Sequence, residues 1–294
     1  MINFELTEEQ SKKMLSIISQ DNKNDTLFEE LRLQYKEQYV EPIKEEVVEI
    51  KPTALYHSIN SAKNTYFEYN PKKVMTALCQ EKTRQWLPNF KNNYFANSGR
   101  IKMASLNAML FSYRDYSTGA KTNNCILFGT AMRDMGIWIN KPYINDYVIN
   151  MICTVNDQLI IQDGVKEDEY KKAKFIISGY ACTKDGRKDY RKHSKTPHLA
   201  GKTNRTIYGQ KDNGNMVMIT LKSATANDCQ NLCIAMGVTN SIMLDGGGST
   251  RFNLFGKRMS LFNGYRKIAN ALILYSNLKD RTEVEYSGRQ YIKY

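Results

Sequence analysis

The segment Ser241–Thr250 carries the residues of this chain that are best suited to chemistry. It reads Ser-Ile-Met-Leu-Asp-Gly-Gly-Gly-Ser-Thr, so an apolar strand runs directly into Asp245 and then into three consecutive glycines. Glycine accepts positive φ values and lets a ligand approach backbone N–H groups closely. Asp245 therefore stands at the lip of a loop where a carboxylate can do chemistry. The alternative interpretation is an ordinary Asp-Gly turn after a strand.

This glycine loop lacks the pattern of known nucleotide-binding loops. It has no Gly-Lys-Ser/Thr ending, which a P-loop requires, and no glycine at the last position of a dinucleotide fingerprint. ATP and NAD are poor candidates, and we predict no cofactor. The chain has only three histidines, His57, His193 and His198, so we expect no histidine-rich metal site.

The last hundred residues predict an ordered set of elements around the loop. A hairpin is indicated by apolar strands on both sides of the turn Asp212-Asn213-Gly214. Helical spacing from about Thr225 to Met236 stops at Gly237. The predicted order is a hairpin (205–221), a helix (225–236), a strand (241–244), the glycine loop, a second hairpin (251–257) and a last strand (266–274).

This order and these residues resemble the phosphodiester glycosidase family over residues 198–276. Three motifs carry the resemblance: Arg205-Thr206 with Gly209 and the turn that follows, the loop Leu244–Thr250, and the stretch Arg266–Asn270. A fainter match lies at Leu106–Phe111. There Asn107 stands where the family has an asparagine, while Met109 and Leu110 replace the usual glycine and aromatic residue.

The resemblance implies an enzyme that removes a sugar from a phosphodiester. Phosphate is a good leaving group, so the site needs a strong general acid less than it needs a carboxylate near the sugar and a donor-rich cradle for the phosphate. Asp245 is then the candidate base, nucleophile or electrostatic stabiliser, and these three roles stay open. Arg205 would hold two phosphate oxygens, and the N–H groups from Gly246 to Thr250 would form an anion nest.

Other side chains are candidates for supporting roles. Asp212 is a possible second catalytic carboxylate, although an Asp in an Asp-Asn-Gly turn is the simpler interpretation. His198 lies just before Arg205 and is either a proton shuttle or a loop residue without a catalytic role. Asn270 either contacts substrate or satisfies buried backbone. The predicted substrate-binding set is Asn107, Thr206, Gly246, Gly247, Gly248, Ser249, Thr250, Arg266 and Asn270.

Composition indicates a substantial globular core. The chain has 294 residues with 41% hydrophobic content, and no apolar run is long enough to span a bilayer. The first residues lack the basic and apolar regions of a signal peptide, so we expect synthesis in the cytoplasm without export by that route. The six cysteines are scattered, and we expect reduced or buried thiols with no metal motif.

Charge divides the chain unevenly. Residues 1–50 contain 12 acidic and 6 basic residues, whereas the remainder carries a net charge of +18. A strongly basic body attracts polyanions without specifying which one. Teichoic acids and phosphorylated capsules suit both this charge and the glycosidase motif, whereas nucleic acid suits only the charge.

The fold class that we predict is α+β, with a mainly antiparallel or mixed sheet, few helices and a helical N-terminal appendage. Short apolar runs between residues 100 and 186 predict strands. A helix is expected from Pro71 to about Trp86. The expected divisions are an acidic helical appendage (1–55), a connecting helix and irregular segment (56–98), the glycosidase-like domain (99–276) and a tail (277–294).

These features together predict a glycoside hydrolase acting on a sugar–phosphodiester linkage in a bacterial surface polymer. A phage virion or tail component is one expected setting, with protein partners bound through the N-terminal helices. The first alternative is a catalytically idle protein that binds glycan or has a structural role in a virion. The second is a basic nucleic-acid-binding protein.

Overall fold

The computed structural model describes residues 56–60, 64–91, 100–114, 121–133, 137–140, 146–258, 266–276 and 289–292. Strands dominate these ranges. They are β1 (Tyr56–Asn60), β2 (Thr65–Tyr69), β3 (Val74–Gln85), β4 (Lys102–Asn107), β5 (Phe111–Arg114), β6 (Lys121–Leu127), β7 (Ala131–Arg133), β8 (Ile137–Asn140), β9 (Ile149–Thr154), β10 (Leu159–Gln162), β11 (Ala173–Lys184), β12 (Arg187–Lys188), β13 (Thr203–Lys211), β14 (Met216–Ala224), β15 (Val238–Met243), β16 (Phe252–Leu254), β17 (Lys257–Arg258), β18 (Ile268–Ser276) and β19 (Arg289–Ile292).

Helices are few in the same ranges. The α-helices are α1 (Glu167–Tyr170) and α2 (Ala226–Ala235), and single 3₁₀ turns occur at Leu87–Asn89, His193–Lys195, Pro197–Ala200 and Gly247–Ser249. Helix α2 begins with a capping box, because the Thr225 hydroxyl accepts from the Asp228 N–H and the Asp228 carboxylate accepts from the Thr225 N–H. No helix of the described residues is long and apolar enough to cross a membrane.

Two sheets build the body. The first has the strand order β10-β9-β11-β15-β13-β14-β2-β1-β19, with β7 and β12 also paired to β11 and β8 paired to β7. The second has the order β17-β16-β4-β18-β3, and β5 pairs with β6 separately. Neighbouring strands pair antiparallel except β1 and β19, which run parallel. The structure is therefore a sheet-rich α+β fold.

The main core lies between the two sheets. It joins side chains of the first sheet, such as Phe67 and Tyr208, to side chains of the second, such as Phe252 and Leu272. The rings of Phe67 and Phe252 lie 5.5 Å apart across this interface. Helix α2 covers the other face of the first sheet. The turn at Leu87–Asn89 covers the outer face of the second.

The strands, helix and hairpins predicted between residues 205 and 274 are confirmed by β13, β14, α2, β15, β16, β17 and β18. The helix predicted from Pro71 to about Trp86 is wrong. Residues Val74–Gln85 form β3, which pairs along its length with β18. A run that includes Ala77 and Leu78 suits a helix locally, but pairing with a buried strand decides the outcome.

The segment 56–98, expected to connect the body to an appendage, contributes strands to both sheets. Strand β2 pairs with β14, and β3 pairs with β18. The sheets therefore continue across the expected boundary at residue 99. The helical appendage predicted for residues 1–55 lies outside the described residues, and so does most of the predicted C-terminal tail.

Candidate active site

Asp245 lies at the carboxyl end of β15, a strand held on both sides within the first sheet. Strand β15 pairs with β11 and with β13. Just past its end, the Leu244 N–H still donates to the Thr206 carbonyl at 2.8 Å. The Asp245 N–H then turns to the Ala108 carbonyl, at 2.9 Å. The carboxylate is thus fixed where the chain leaves the sheet.

The loop after Asp245 requires its glycines. A β-carbon at Gly246 would lie 2.6 Å from the Asn204 carbonyl oxygen, which is too close for any side chain. Gly247 has a φ of +56°, a conformation that other residues adopt at a cost. The Ser249 N–H closes a tight turn onto the Gly246 carbonyl at 3.1 Å. This turn brings the Ser249 side chain back toward Asp245.

The Asp245 carboxylate meets a hydroxyl and a guanidinium. Ser249 hydrogen-bonds the carboxylate, and Arg266 Nη2 lies 3.5 Å from Asp245 Oδ2. Arg266 also donates from Nε to the Ser249 hydroxyl oxygen at 2.8 Å. The three side chains form a closed triangle, which we call the Asp245 cluster.

Burial raises the pKa of Asp245 from 3.8 to about 6. The Ser249 hydroxyl, Arg266 and the Gly246 N–H act in the opposite direction. The Asp245 side chain is 14% exposed, and that of Arg266 is 47% exposed. The carboxylate is thus desolvated and still reachable, a combination that is common for groups that do chemistry.

Phe111 supports Arg266 from behind. The guanidinium carbon lies 5.7 Å from the centre of the Phe111 ring, a cation–π distance. Sequence reasoning did not assign Phe111 to the site. Its position four residues after Asn107 was the available signal.

Asn107 positions the glycine loop without facing solvent. This side chain is 1% exposed, and its Nδ2 donates to the Asp245 carbonyl at 2.6 Å. Its Oδ1 accepts from the Thr206 hydroxyl at 3.0 Å and from the Arg251 N–H at 2.8 Å. Asn107 therefore ties β4 of the second sheet to β13 of the first and to both ends of the loop. Thr206, fully buried, acts through this bond.

Asn270 holds the neighbouring segment in the same way. Its Oδ1 accepts from the Met109 N–H at 2.5 Å, and its Nδ2 donates to the Met109 carbonyl at 3.0 Å. The side chain is 1% exposed. The structure therefore gives Asn270 the backbone-satisfying role that was the alternative to substrate contact.

The remaining loop residues differ in exposure. Gly246, Gly247 and Gly248 are partly exposed, whereas Ser249 and Thr250 are buried. The N–H groups of Ser249 and Thr250 are used inside the turn. Among the described hydrogen bonds, none uses the N–H of Gly247 or Gly248. The anion nest that remains is therefore smaller than predicted.

Arg205 does not have the surroundings of a phosphate ligand. Its guanidinium is buried and donates to backbone carbonyls: Nε to Ala224, and Nη2 to His198, Leu199 and Gly201. Desolvation lowers the pKa of this guanidinium. In the described contacts Arg205 has a structural role, because it fixes the segment before β13 to the end of β14. The prediction had given Arg205 the role of binding phosphate oxygens.

We expect Arg205→Met to lower the free energy of unfolding by roughly 2–4 kcal/mol, because several carbonyls lose a charged donor. The KM of the folded fraction for a small sugar phosphodiester should change by less than about twofold. Urea unfolding and steady-state kinetics measure the two effects. A stable variant with a strongly raised KM would restore the phosphate-binding role.

Asp212 lies far from Asp245. It follows β13 at the turn into β14, where its carboxylate accepts from the Asn213 N–H at 2.8 Å. Asp245 sits at the other end of β13, beside Asn204 and Thr206. Eight residues of strand separate Asn204 from Asp212, about 26 Å at 3.3 Å per residue. Asp212 is therefore excluded as a second carboxylate of this site.

His198 lies on the short turn Pro197–Ala200. Its Nε2 is 3.0 Å from the Tyr180 hydroxyl, and burial together with nearby Arg205 lowers its pKa. No described hydrogen bond joins His198 to Asp245. His198, the predicted proton shuttle, is thus bonded to Tyr180.

Within the described ranges, no group of three or more His, Cys, Asp or Glu side chains is placed to hold a metal ion.

The chain is similar to one protein family and to several solved structures. The family model described as phosphodiester glycosidase matches residues 134–275. No curated protein matches the chain. The zebrafish N-acetylglucosamine-1-phosphodiester alpha-N-acetylglucosaminidase catalytic domain, auto-inhibited by its pro-peptide, is similar in fold at 15% identity and a TM-score of 0.53, over 76% of this chain and 82% of that one.

A hypothetical protein from Synechocystis is more remote, at 12% identity and a TM-score of 0.47 over 73% of this chain and 59% of that one.

The family match covers strands β9 to β18, which carry the Asp245 cluster and most of the residues around it. It includes Asp245, Ser249 and Arg266. Residues 134–275 of this chain therefore match the model of the phosphodiester glycosidase family, and the fold resembles that of a catalytic domain with this activity.

Proposed function

We propose that this protein hydrolyses the bond between a sugar and a phosphate at the Asp245 cluster. The observation that carries the proposal is a partly exposed, desolvated carboxylate with a guanidinium 3.5 Å away, on a glycine loop in a phosphodiester glycosidase domain. In the reaction, the C1–O bond to phosphate breaks and water gives its hydroxyl to the anomeric carbon. The products are a free sugar and a phosphate monoester.

In this proposal Arg266 takes the phosphate-binding role that the sequence suggested for Arg205. Its guanidinium is half exposed, rests on Phe111 and keeps one edge on Ser249. A guanidinium so placed can offer two parallel N–H donors to phosphate oxygens. The N–H groups of Gly247 and Gly248 lie on the same loop and add neutral donors.

Asp245 would act in its ionised form. Because phosphate leaves without needing full protonation, the positive charge that develops at the sugar is what requires stabilisation. An ionised carboxylate can supply this as nucleophile, base or electrostatic partner. A pKa near 6 leaves Asp245 mostly ionised at pH 7.5.

The pH profile tests this assignment of charge. With a folded-state pKa of about 6 for Asp245, kcat/KM should rise about tenfold per pH unit below pH 6 and level off above pH 7. The measurement is the initial rate of release of N-acetylglucosamine from UDP-N-acetylglucosamine between pH 4.5 and 8.5. A profile that falls as the pH rises through 6 would make Asp245 a general acid instead.

An anionic surface polymer, such as a teichoic acid or a phosphorylated capsule, is the substrate that we favour. Residues 184–202 contain seven Lys or Arg and two Asp, and this basic segment adjoins the glycine loop. Arg205 donates to the carbonyls of Leu199 and Gly201 in this segment. The preceding residue, Asn204, donates to the Gly247 carbonyl of the glycine loop at 3.5 Å. A polyanion entering the site would cross these cations.

Reversing charge in the basic segment should affect only long substrates. We expect Lys195→Glu with Lys202→Glu to raise the KM for teichoic acid about tenfold at low ionic strength, and less at 0.5 M salt. The KM for UDP-N-acetylglucosamine should stay within about twofold. Lys171→Glu with Lys172→Glu changes the same charge at exposed positions near α1 and serves as the matched control. Equal effects from both pairs would contradict a local polymer path.

The direct test of the function is sugar release from UDP-N-acetylglucosamine and from purified wall teichoic acid. Release from either substrate by the wild-type protein is the expected result. Binding of teichoic acid without release would favour a glycan-binding protein that lacks catalysis. Tight, salt-sensitive binding of DNA with neither of these would favour the nucleic-acid alternative.

A further inference from the structure

A pocket lies on the outer face of the second sheet, and none of its lining residues belongs to the glycine loop. It is a cavity of about 280 Å³ between the turn Leu87–Asn89 and the strands β4 and β16. Its lining combines apolar side chains, such as Ile101 and Phe255, with the polar residues Lys102, Ser105 and Asn253. The proposed hydrolysis uses none of these residues.

Ser105 and Asn253 make this pocket unusual. They are directly opposite each other on β4 and β16, so their side chains share one face. Ser105 is fully buried and Asn253 is 5% exposed. Among the residues that the structure describes, the buried Ser105 hydroxyl has no hydrogen-bond partner. Buried polar groups are nearly always paired, so this hydroxyl indicates a missing partner, and the Asn253 amide lies beside it.

Lys102 completes the polar side of the pocket. Its ammonium donates to the Pro88 carbonyl at 2.9 Å and to the Phe90 carbonyl at 2.5 Å. An ammonium has three N–H donors, so one more bond is within its capacity. The pocket lining contains no acidic side chain. The polar groups therefore offer donors and acceptors together, and most of the positive charge is already satisfied by carbonyls.

This pattern fits one class of ligand. A pyranose ring has hydroxyl groups along its edge, each both donor and acceptor, and an apolar C–H face. The Asn253 amide can hydrogen-bond the hydroxyl groups at the ring's edge, and so can the Ser105 hydroxyl after rotation about its Cα–Cβ bond. Phe255 and Pro88 can pack against the C–H face of the ring. The volume is sufficient for a single sugar ring.

We propose that this pocket is a binding site for an uncharged sugar unit, separate from the Asp245 cluster. Such a site would let the protein hold one unit of a glycan on the second sheet. The proposal does not depend on hydrolysis, because binding alone defines it.

The test is binding of N-acetylglucosamine and of glucose to the full chain. Saturation-transfer NMR and the shift in melting temperature measure this binding. We expect at least one sugar to bind at millimolar concentration. Asn253→Leu, and the milder Asn253→Asp and Ser105→Ala, should each weaken binding about tenfold for the bonds lost. Arg266→Ala, which alters the Asp245 cluster, should leave this binding within twofold.

Ser105→Ala gives a second, independent readout. Without sugar it should unfold at the same temperature as the wild type or higher, since it removes a hydroxyl that lacks a partner. With sugar it should lose the thermal shift that the wild type gains. Binding lost in Arg266→Ala and kept in the pocket variants would overturn the proposal, because the sugar would then sit at the Asp245 cluster. No binding at 50 mM sugar would also overturn it and would leave water as the partner of Ser105.

Discussion

Asp245→Asn is expected to lower kcat/KM for sugar release by about 10³-fold or more while the protein remains folded. The amide keeps the shape and the acceptor oxygen that face Ser249 and Arg266. It loses the negative charge that, in the proposed reaction, stabilises the developing positive charge at the anomeric carbon. The measurement is product release at pH 7.5, with circular dichroism to confirm folding. Activity within tenfold of the wild type would remove Asp245 from the mechanism.

The same variant should be more stable than the wild type at neutral pH. The folded-state pKa of Asp245 is raised from 3.8 to about 6, so ionisation of this group opposes folding. The penalty is absent below about pH 4 and fully present above about pH 6, where it reaches up to about 3 kcal/mol. Asp245→Asn should therefore raise Tm by several degrees at pH 7.5 and by little at pH 4. A lower Tm at pH 7.5 would mean that the bonds to Ser249 and Arg266 outweigh desolvation.

Asn107→Asp is expected to have the second-largest effect, without any contact to substrate. The new carboxylate replaces the Nδ2 donor and faces the Asp245 carbonyl oxygen, 2.6 Å from the original nitrogen. Breaking this buried bond and leaving a charge without a donor should cost about 3–5 kcal/mol of stability. Because the loop that carries Asp245 loses its anchor, kcat should fall about 100-fold in the fraction that folds.

Gln210→Glu is the matched control for Asn107→Asp. Gln210 is also buried, and its amide bonds the Leu159 N–H and the carbonyls of Asp157 and Gly214. It lies at the far end of β13, so the same chemical change should lower stability while kcat stays within about threefold. Urea unfolding and active-site titration separate stability from activity. If both variants lower kcat equally, Asn107 has no special effect on the loop.

The sequence predicted the glycine loop after Asp245 because the signal for this loop is local. An apolar strand, a carboxylate and three glycines within ten residues indicate a loop that only glycine can form, and the contact of Gly246 with Asn204 shows why. Helix α2 was predictable for a similar reason, since Thr225 and Asp228 form a capping box in sequence as in space. Such features need no knowledge of distant residues.

Other features depend on partners far away in the chain. A sequence does not reveal which way a strand's long side chain turns, and Arg205 turns to carbonyls instead of the loop. The composition of residues 74–85 is compatible with a helix, yet these residues form a strand because they pair with β18. Phe111 reaches Arg266 across more than 150 residues of chain. These outcomes are decided by tertiary packing, which overrides local preference.

The hydrogen bond between Asn107 and the Asp245 carbonyl affects the order of events in which the protein folds. It joins residues 138 positions apart and links the second sheet to the first. Contacts of such long sequence separation form late, after loop closure has been achieved by other interactions. A chain with both sheets formed but not yet docked would have native secondary structure and an unanchored Asp245. Recovery of the proposed activity after dilution from denaturant should therefore lag behind recovery of the circular dichroism signal, so that sugar release would be the last property that the folding chain acquires.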